Sequence, residues 1–109
     1  MDTIDTVKAA DAKRGDMGQK LLVEGGGLAL RLWEQEPPGQ PGELHRRDYE
    51  TLGYVFAGRV ELTVDDATVE LGPGDSWRVP KGAPRSYHIL ETLTAIEATR
   101  PPGRDEGAS

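Results

Sequence analysis

Two stretches decide the reading of this chain: GQPGELHRRDYETLGYVFAG, Gly39 to Gly58, and GDSWRVPKGAPR, Gly74 to Arg85. Their spacing is Gly39-x5-His45-x-Arg47-x3-Thr51-x6-Gly58, then Gly74-x5-Pro80-x-Gly82-x2-Arg85. Gly58, Gly74 and Gly82 sit where the chain must reverse between strands, and glycine takes a positive φ there without steric cost. Pro80 falls at a strand end, where its missing N–H breaks no ladder bond. Gly72-Pro73-Gly74 fits a type II turn, with proline at the second position and glycine at the third.

Working outward, the rest of the chain reads as strand after strand. Lys20–Val23 is a short apolar strand and Gly25–Gly27 a turn. Leu28–Gln35 (LALRLWEQ) alternates with period two, which is the signature of a half-buried strand. The loop Pro37–Gly42 precedes Glu43–Tyr49, and Leu52–Ala57 is a nearly continuous apolar strand closed by Gly58. Val60–Val64 pairs with Thr68–Leu71 across Asp65-Asp66-Ala67 as a hairpin. Asp75–Val79 and Arg85–Leu90 flank the turn Pro80–Pro84, and Thr92–Thr99 is the last strand. That makes about nine short strands, with no helix and no room for βαβ crossovers. The fold class is all-β, an antiparallel barrel or sandwich. Residues 1–17 read as a flexible polar arm, free or packed on a neighbouring subunit, with weak helical character around Thr6–Lys13. The barrel spans 18–100, and 101–109 form a flexible tail.

The composition agrees and excludes several functions. At 109 residues the chain is one domain, and its 14 glycines and 8 prolines favour short elements joined by tight turns. Thirteen basic against 19 acidic residues leave a net charge of −6, which repels nucleic acid and anionic lipid. The absence of cysteine removes disulfides, thiolate metal sites, iron–sulfur clusters and thiol catalysis. Only two histidines, His45 and His88, are present, so a multi-histidine metal site lacks ligands. The N-terminus has no apolar core of a signal peptide, and no apolar run approaches the ~20 residues of a membrane span. The expectation is a soluble, cytoplasmic protein. Gly25–Gly27 is no phosphate loop, since no lysine–serine pair and no helix follow it.

The two stretches resemble the paired motifs of the cupin superfamily, Gly-x5-His-x-His-x3,4-Glu-x6-Gly and Gly-x5-Pro-x-Gly-x2-His-x3-Asn. The intermotif Arg59–Pro73, 15 residues, is similar to that of small single-domain bacterial cupins, and the resemblance covers roughly residues 20–100. It implies an antiparallel jelly-roll barrel, usually paired as a homodimer. In that family two histidines and a glutamate of the first motif and a histidine of the second hold a divalent metal. Here those positions are His45, Arg47, Thr51 and Arg85. Arginine stays protonated and cannot ligate, and neutral threonine is a poor ligand. Two guanidinium groups in one cavity also repel a cation. His88 lies three residues from Arg85, on the opposite face of that strand, and Glu50 alternates away from Thr51. No cofactor is therefore expected, and His45 is the single matching metal-ligand position.

In this register one strand presents His45, Arg47 and Tyr49 inward, and the other presents Arg85 and Tyr87. Such a barrel mouth suits a small anionic metabolite such as a carboxylate, phosphate or enolate. Arg78 and Lys81 add to the local basic excess; the opposing reading pairs these cations at the rim with Asp48, Glu50 or Asp75. His45 carries an imidazole, the side-chain type whose unperturbed pKa near 6.5 suits a general acid or base. His45 and Tyr87 are thus the candidate catalytic pair, and Arg47, Thr51, Arg85 and Tyr49 the candidate ligand-binding set. Metal-free cupin-like epimerases and isomerases use histidine and tyrosine in such roles, so the resemblance allows that chemistry. Trp33 and Tyr54 fit core or interface positions, and Trp77 the barrel wall. The expected function is metal-independent handling of a small anion, as an isomerase, epimerase, cyclase or lyase. The alternatives are a non-catalytic binding or sensor module, and a metal-dependent oxygenase with an unusual site. Residue types alone leave open whether the protein is an enzyme.

Overall fold

A computed structural model describes residues 4–15 and 18–102. One turn of 3-10 helix, Ala9–Asp11, precedes six strands: β1 (Lys20–Glu24), β2 (Ala29–Glu36), β3 (Glu50–Val64), β4 (Ala67–Leu71), β5 (Ser76–Val79) and β6 (Arg85–Arg100). All pair antiparallel in the order β1-β2-β6-β3-β4, with β5 added to β3. This is the all-β antiparallel architecture that the strand and turn pattern predicted, and it agrees with the jelly roll that the resemblance implies. Among the described residues no helix is long and apolar enough to cross a membrane.

The strands are fewer and longer than the sequence suggested. Leu52–Ala57 and Val60–Val64 are two halves of one strand, β3; Arg85–Leu90 and Thr92–Thr99 likewise merge into β6. Gly58 bends β3 without ending it. The β3–β6 register slips repeatedly between Val55 and Val60, and at the slip Gly58 has φ 90. A Cβ there would stand 2.1 Å from the Thr92 carbonyl oxygen, so only glycine lets the two strands stay paired through the corner. The turns behave as expected. Asp75 N–H donates to Gly72 O at 3.0 Å with Gly74 at φ 91, and Ala83 N–H donates to Pro80 O at 3.2 Å with Gly82 at φ 82.

Glu43–Tyr49 is not a strand, and the reason lies in its spacing. Gly39, Gly42 and His45 donate to the carbonyls of Ile89, Tyr87 and Arg85, at 3.3, 3.4 and 2.8 Å. The segment advances three residues for every two on β6. It therefore cannot form a regular ladder, whose side chains alternate strictly. Only His45 and Arg85 form a true bridge, each N–H donating to the other's carbonyl at 2.8 Å.

Inside, Trp33, Val55, Val60, Leu62, Leu71, Val79, Leu93 and Ala95 form the apolar core. Trp77 packs against it, over Gly53: a Cβ on Gly53 would lie 2.2 Å from the indole. Along β6 the inward phase runs Leu93, Ala95, Glu97, Thr99, and along β2 it runs Ala29, Arg31, Trp33. The interior thus changes from apolar to polar along the barrel. Of the arm expected at 1–17, Leu21 N–H donates to Lys13 O at 2.7 Å and Arg14 bridges Lys20, which pins this part along β1. Residues 1–3, 16–17 and 103–109, and with them most of the expected tail, lie outside the described residues.

Candidate functional site

β6 begins at Arg85 and carries Tyr87 two residues on, so both side chains share its inner face. The irregular segment before β3 crosses over them, held by the His45–Arg85 bridge, and brings His45 and Arg47 to the same place. Trp33 of β2 closes the far side. The resulting cavity, about 120 Å³, is lined by Trp33, Glu43, His45, Arg47, Arg85 and Tyr87, among others. Four residues expected to act on or bind a ligand therefore meet in one space. Glu43 is its single acidic lining residue.

Arg85 is the most unusual of them. It is only 4 % exposed, and every hydrogen-bond acceptor it has is neutral. Nη2 donates to Pro80 O at 3.0 Å, Nε to Ala83 O at 3.2 Å and Nη1 to Thr51 Oγ1 at 3.4 Å. Its guanidinium also lies over the Tyr49 ring, 5.7 Å from the centroid. Burial lowers its pKa, opposed by Tyr87, Tyr49 and Glu97, and arginine nevertheless keeps its proton. Among the described residues no carboxylate forms an ion pair with it. A buried charge ordinarily has a partner of opposite sign.

Tyr87 is wedged between aromatic neighbours, 5.5 Å from Trp33 and 6.2 Å from Trp77 by ring centroids. Trp77 Nε1 donates to its hydroxyl oxygen at 3.3 Å. Burial pushes the phenol well above its ordinary pKa, and Glu97 adds to the shift against the Trp77 hydrogen bond and Arg85. The hydroxyl is therefore a neutral donor at any physiological pH. It is not a base.

Behind the cavity lies an ion pair that sequence reading missed. Glu97 is 2 % and Arg31 3 % exposed. Arg31 donates through Nε to Glu97 Oε2 at 2.7 Å, and its Nη2 contacts the same oxygen. Trp33 Nε1 donates to Glu97 Oε1 at 2.9 Å, and Arg31 Nη2 donates to Tyr49 Oη at 3.1 Å. Burial opposes the charge on Arg31, but Glu97 and Tyr49 outweigh it and its pKa is raised. The signal in the sequence was only partial: Arg31 in LALRLW and Glu97 in TAIEAT interrupt apolar strands. The alternation of Leu28, Leu30 and Leu32 points Arg31 outward, whereas the structure buries the phase of Ala29, Arg31 and Trp33. Arg31 and Glu97 are register partners on adjacent strands.

The remaining expected residues fall elsewhere. Tyr49 and Thr51 are buried at 5 % and 1 % exposure. They support Arg31 and Arg85 rather than line the cavity. Arg78 and Lys81 do not reach it. Arg78 pairs with Glu50 at 2.6 Å and Lys81 with Asp48 at 3.4 Å. Both line a separate open groove with Arg100. For these two the rim-pair reading holds. Asp75 is engaged instead with the Gly72 N–H at 2.8 Å. His88 faces away from the cavity, with Nδ1 3.1 Å from Glu61 Oε1.

The four positions that hold a metal in the resembling family carry one imidazole, two guanidinium groups and a threonine hydroxyl already bonded to one of them. Only the imidazole can ligate, so this donor set does not fit a divalent ion. Among the described residues no three His, Cys, Asp or Glu side chains group as metal ligands.

Residues 32–96 match the family model Cupin_2, described as a cupin domain. The fold is similar to that of an RmlC-like cupin from Shewanella frigidimarina, with TM-score 0.76, 18% identity and coverage of 91% of this chain and 92% of that one. It is also similar to KdgF from Halomonas sp., with TM-score 0.72, 20% identity and coverage of 95% and 98%. The polyketide cyclase RemF from Streptomyces resistomycificus gives TM-score 0.70, 23% identity and coverage of 98% and 88%. At these identities the likeness is one of fold, and function must come from the site. No curated protein matches the chain in sequence.

Proposed function

The chain belongs to the cupin domain family, and from that premise we propose that its barrel binds a small organic anion in the cavity between His45, Arg47, Arg85 and Tyr87, without a metal. The observation that carries this reading is Arg85, a residue of the cavity lining whose buried guanidinium is satisfied by neutral oxygens and lacks a carboxylate. An anion entering from the cavity would supply the missing counter-charge. Arg47 adds a second cation at the wall, and the protonated Tyr87 hydroxyl adds a neutral donor. About 120 Å³ admits a compact carboxylate or phosphate, well below the ~300–1,000 Å³ of drug-sized sites. Metal independence is supported by the donor chemistry at the four family positions.

His45 supports a second reading. It is the cavity's one imidazole, and it is exposed at the mouth, where it can exchange protons with solvent. With Tyr87 as an oxyanion-stabilising donor, it would move a proton on the carbon beside a bound carboxylate, which is the step shared by isomerases, epimerases and lyases. The similar structures of an RmlC-like cupin and a polyketide cyclase are compatible with this reading; they do not select a reaction.

A thermal-shift panel of acetate, oxalate, citrate and phosphate at constant ionic strength tests the binding reading. A ligand at a hundred times its Kd stabilises by about 2.7 kcal/mol. Arg47→Ala should weaken the best anion at least tenfold, about 1.4 kcal/mol. Lys8→Ala, which removes the same charge outside the cavity lining, should leave it unchanged. Stabilisation by neutral apolar compounds and by no anion would refute the proposal. Exchange of ligand C–H for solvent deuterium, lost in His45→Gln, separates turnover from binding.

A further inference from the structure

We propose that the Arg85 guanidinium stands in for the metal: a tethered cation occupying the ligand positions, doing the metal's electrostatic work and excluding it. The inference rests on the anion reading above for what that cation faces.

The geometry that points to it is the Arg85–Thr51 contact. Thr51 stands at the position of the family's carboxylate ligand and Arg85 at that of its last histidine, and the two are joined by Nη1 and Oγ1 at 3.4 Å. The guanidinium therefore bridges two of the four positions. It is fixed there from behind, since Nε and Nη2 are both spent on the Ala83 and Pro80 carbonyls of the Pro80–Ala83 turn. The planar group is additionally seated on the Tyr49 ring. Tyr49 in turn is anchored by Arg31, whose charge is matched by Glu97. One charge of the three thus cancels another, and Arg85 remains as the uncompensated positive centre of the interior. A divalent ion entering beside it would meet like charge with only His45 among the four positions to bind it, whereas a carboxylate would meet a fixed opposite charge. Thr51 suits this role because a neutral hydroxyl accepts a hydrogen bond without cancelling the charge.

Three measurements decide it. First, the wild-type protein is treated with EDTA, dialysed and titrated with Mn²⁺, Ni²⁺ and Zn²⁺ by calorimetry. No saturable binding tighter than about 1 mM is expected. Stoichiometric micromolar binding would overturn the proposal. Second, the variant Arg47→His, Thr51→Glu, Arg85→His should bind one equivalent of Ni²⁺ or Zn²⁺ at least a hundredfold more tightly than wild type. A folded variant, by circular dichroism, that gains no metal affinity refutes the positional argument. Third, Arg85→Ala should regain thermal stability on addition of millimolar methylguanidinium chloride, with sodium chloride as control. Equal responses to the two salts count against a guanidinium-shaped cation site. Because two of these readouts are metal binding and none requires the natural ligand, failure here is distinguishable from failure of the anion reading, which the anion panel measures separately.

Discussion

The buried Arg31–Glu97 pair gives the sharpest test of the interior electrostatics. Replacing Glu97 by glutamine keeps its size and leaves an oxygen to accept from Trp33 Nε1, now at 2.9 Å. What it removes is the charge. Arg31, 3 % exposed, would then be a buried cation that has lost its carboxylate while still donating to the Tyr49 hydroxyl. Two unit charges about 4 Å apart at an effective dielectric near 20 attract by about 4 kcal/mol. Stranding one member of a buried pair typically costs about 3–5 kcal/mol. Against a total stability of about 5–15 kcal/mol, Glu97→Gln should lower the melting temperature by roughly 15–30 °C. Arg31→Met should cost a similar amount, because it strands the carboxylate instead. The double variant removes both charges and should be at least about 2 kcal/mol more stable than the sum of the single effects predicts. Urea unfolding followed by tryptophan fluorescence supplies the four free energies. Additivity within about 0.5 kcal/mol would refute the reasoning, since it would mean that the two charges are solvated independently.

Two further outcomes follow from the same structure. The Tyr87 phenol has a raised pKa in the folded state, so its contribution is fully present below the ordinary tyrosine pKa of about 10 and is lost as pH rises above it. Stability should fall there by up to about 1.4 kcal/mol per pH unit, and Tyr87→Phe should flatten that slope; an unchanged slope in the variant would be contrary. The outer face of β3 leaves Leu52, Tyr54 and Phe56 at 53%, 42% and 56% exposure, an apolar, uncharged stripe that can pack against its own copy across a twofold axis. A homodimer is expected by sedimentation, with Phe56→Glu sedimenting as a monomer; a wild-type monomer at micromolar concentration would remove this expectation.

The fold was legible because its punctuation is local. A positive φ at Gly58, Gly74 and Gly82 and a proline at 80 are properties of single residues, and each sits at the turn or bend that its type demands. Strand count was not local. Whether Gly58 ends a strand or merely bends it depends on Thr92, 34 residues away in β6, coming close enough to need the missing side chain. The same holds for Glu43–Tyr49, which reads as a strand from its place between the loop Pro37–Gly42 and the strand that follows. Its mismatch of three residues against two is visible only once β6 lies beside it.

The site was legible in membership and not in charge. His45, Arg47, Arg85 and Tyr87 share a cavity because the two motifs meet at the His45–Arg85 bridge. Which cation is spent on a counter-charge is a three-dimensional fact. Four of the arginines and lysines that bear on the question are separated cleanly by the structure. Arg78 and Lys81 are paired with Glu50 and Asp48 at the rim, and Arg31 is paired with Glu97 inside. Arg85 alone among the buried pair of arginines is held by neutral oxygens. The replacements at the two motifs then make one coherent set. A glutamate retained at position 51 would sit within reach of the Arg85 guanidinium and cancel it, and a histidine retained at 85 would provide no permanent charge near neutral pH. Threonine beside arginine does neither. It leaves a fixed positive centre, in a chain of net charge −6, beside the cavity that His45 opens to solvent.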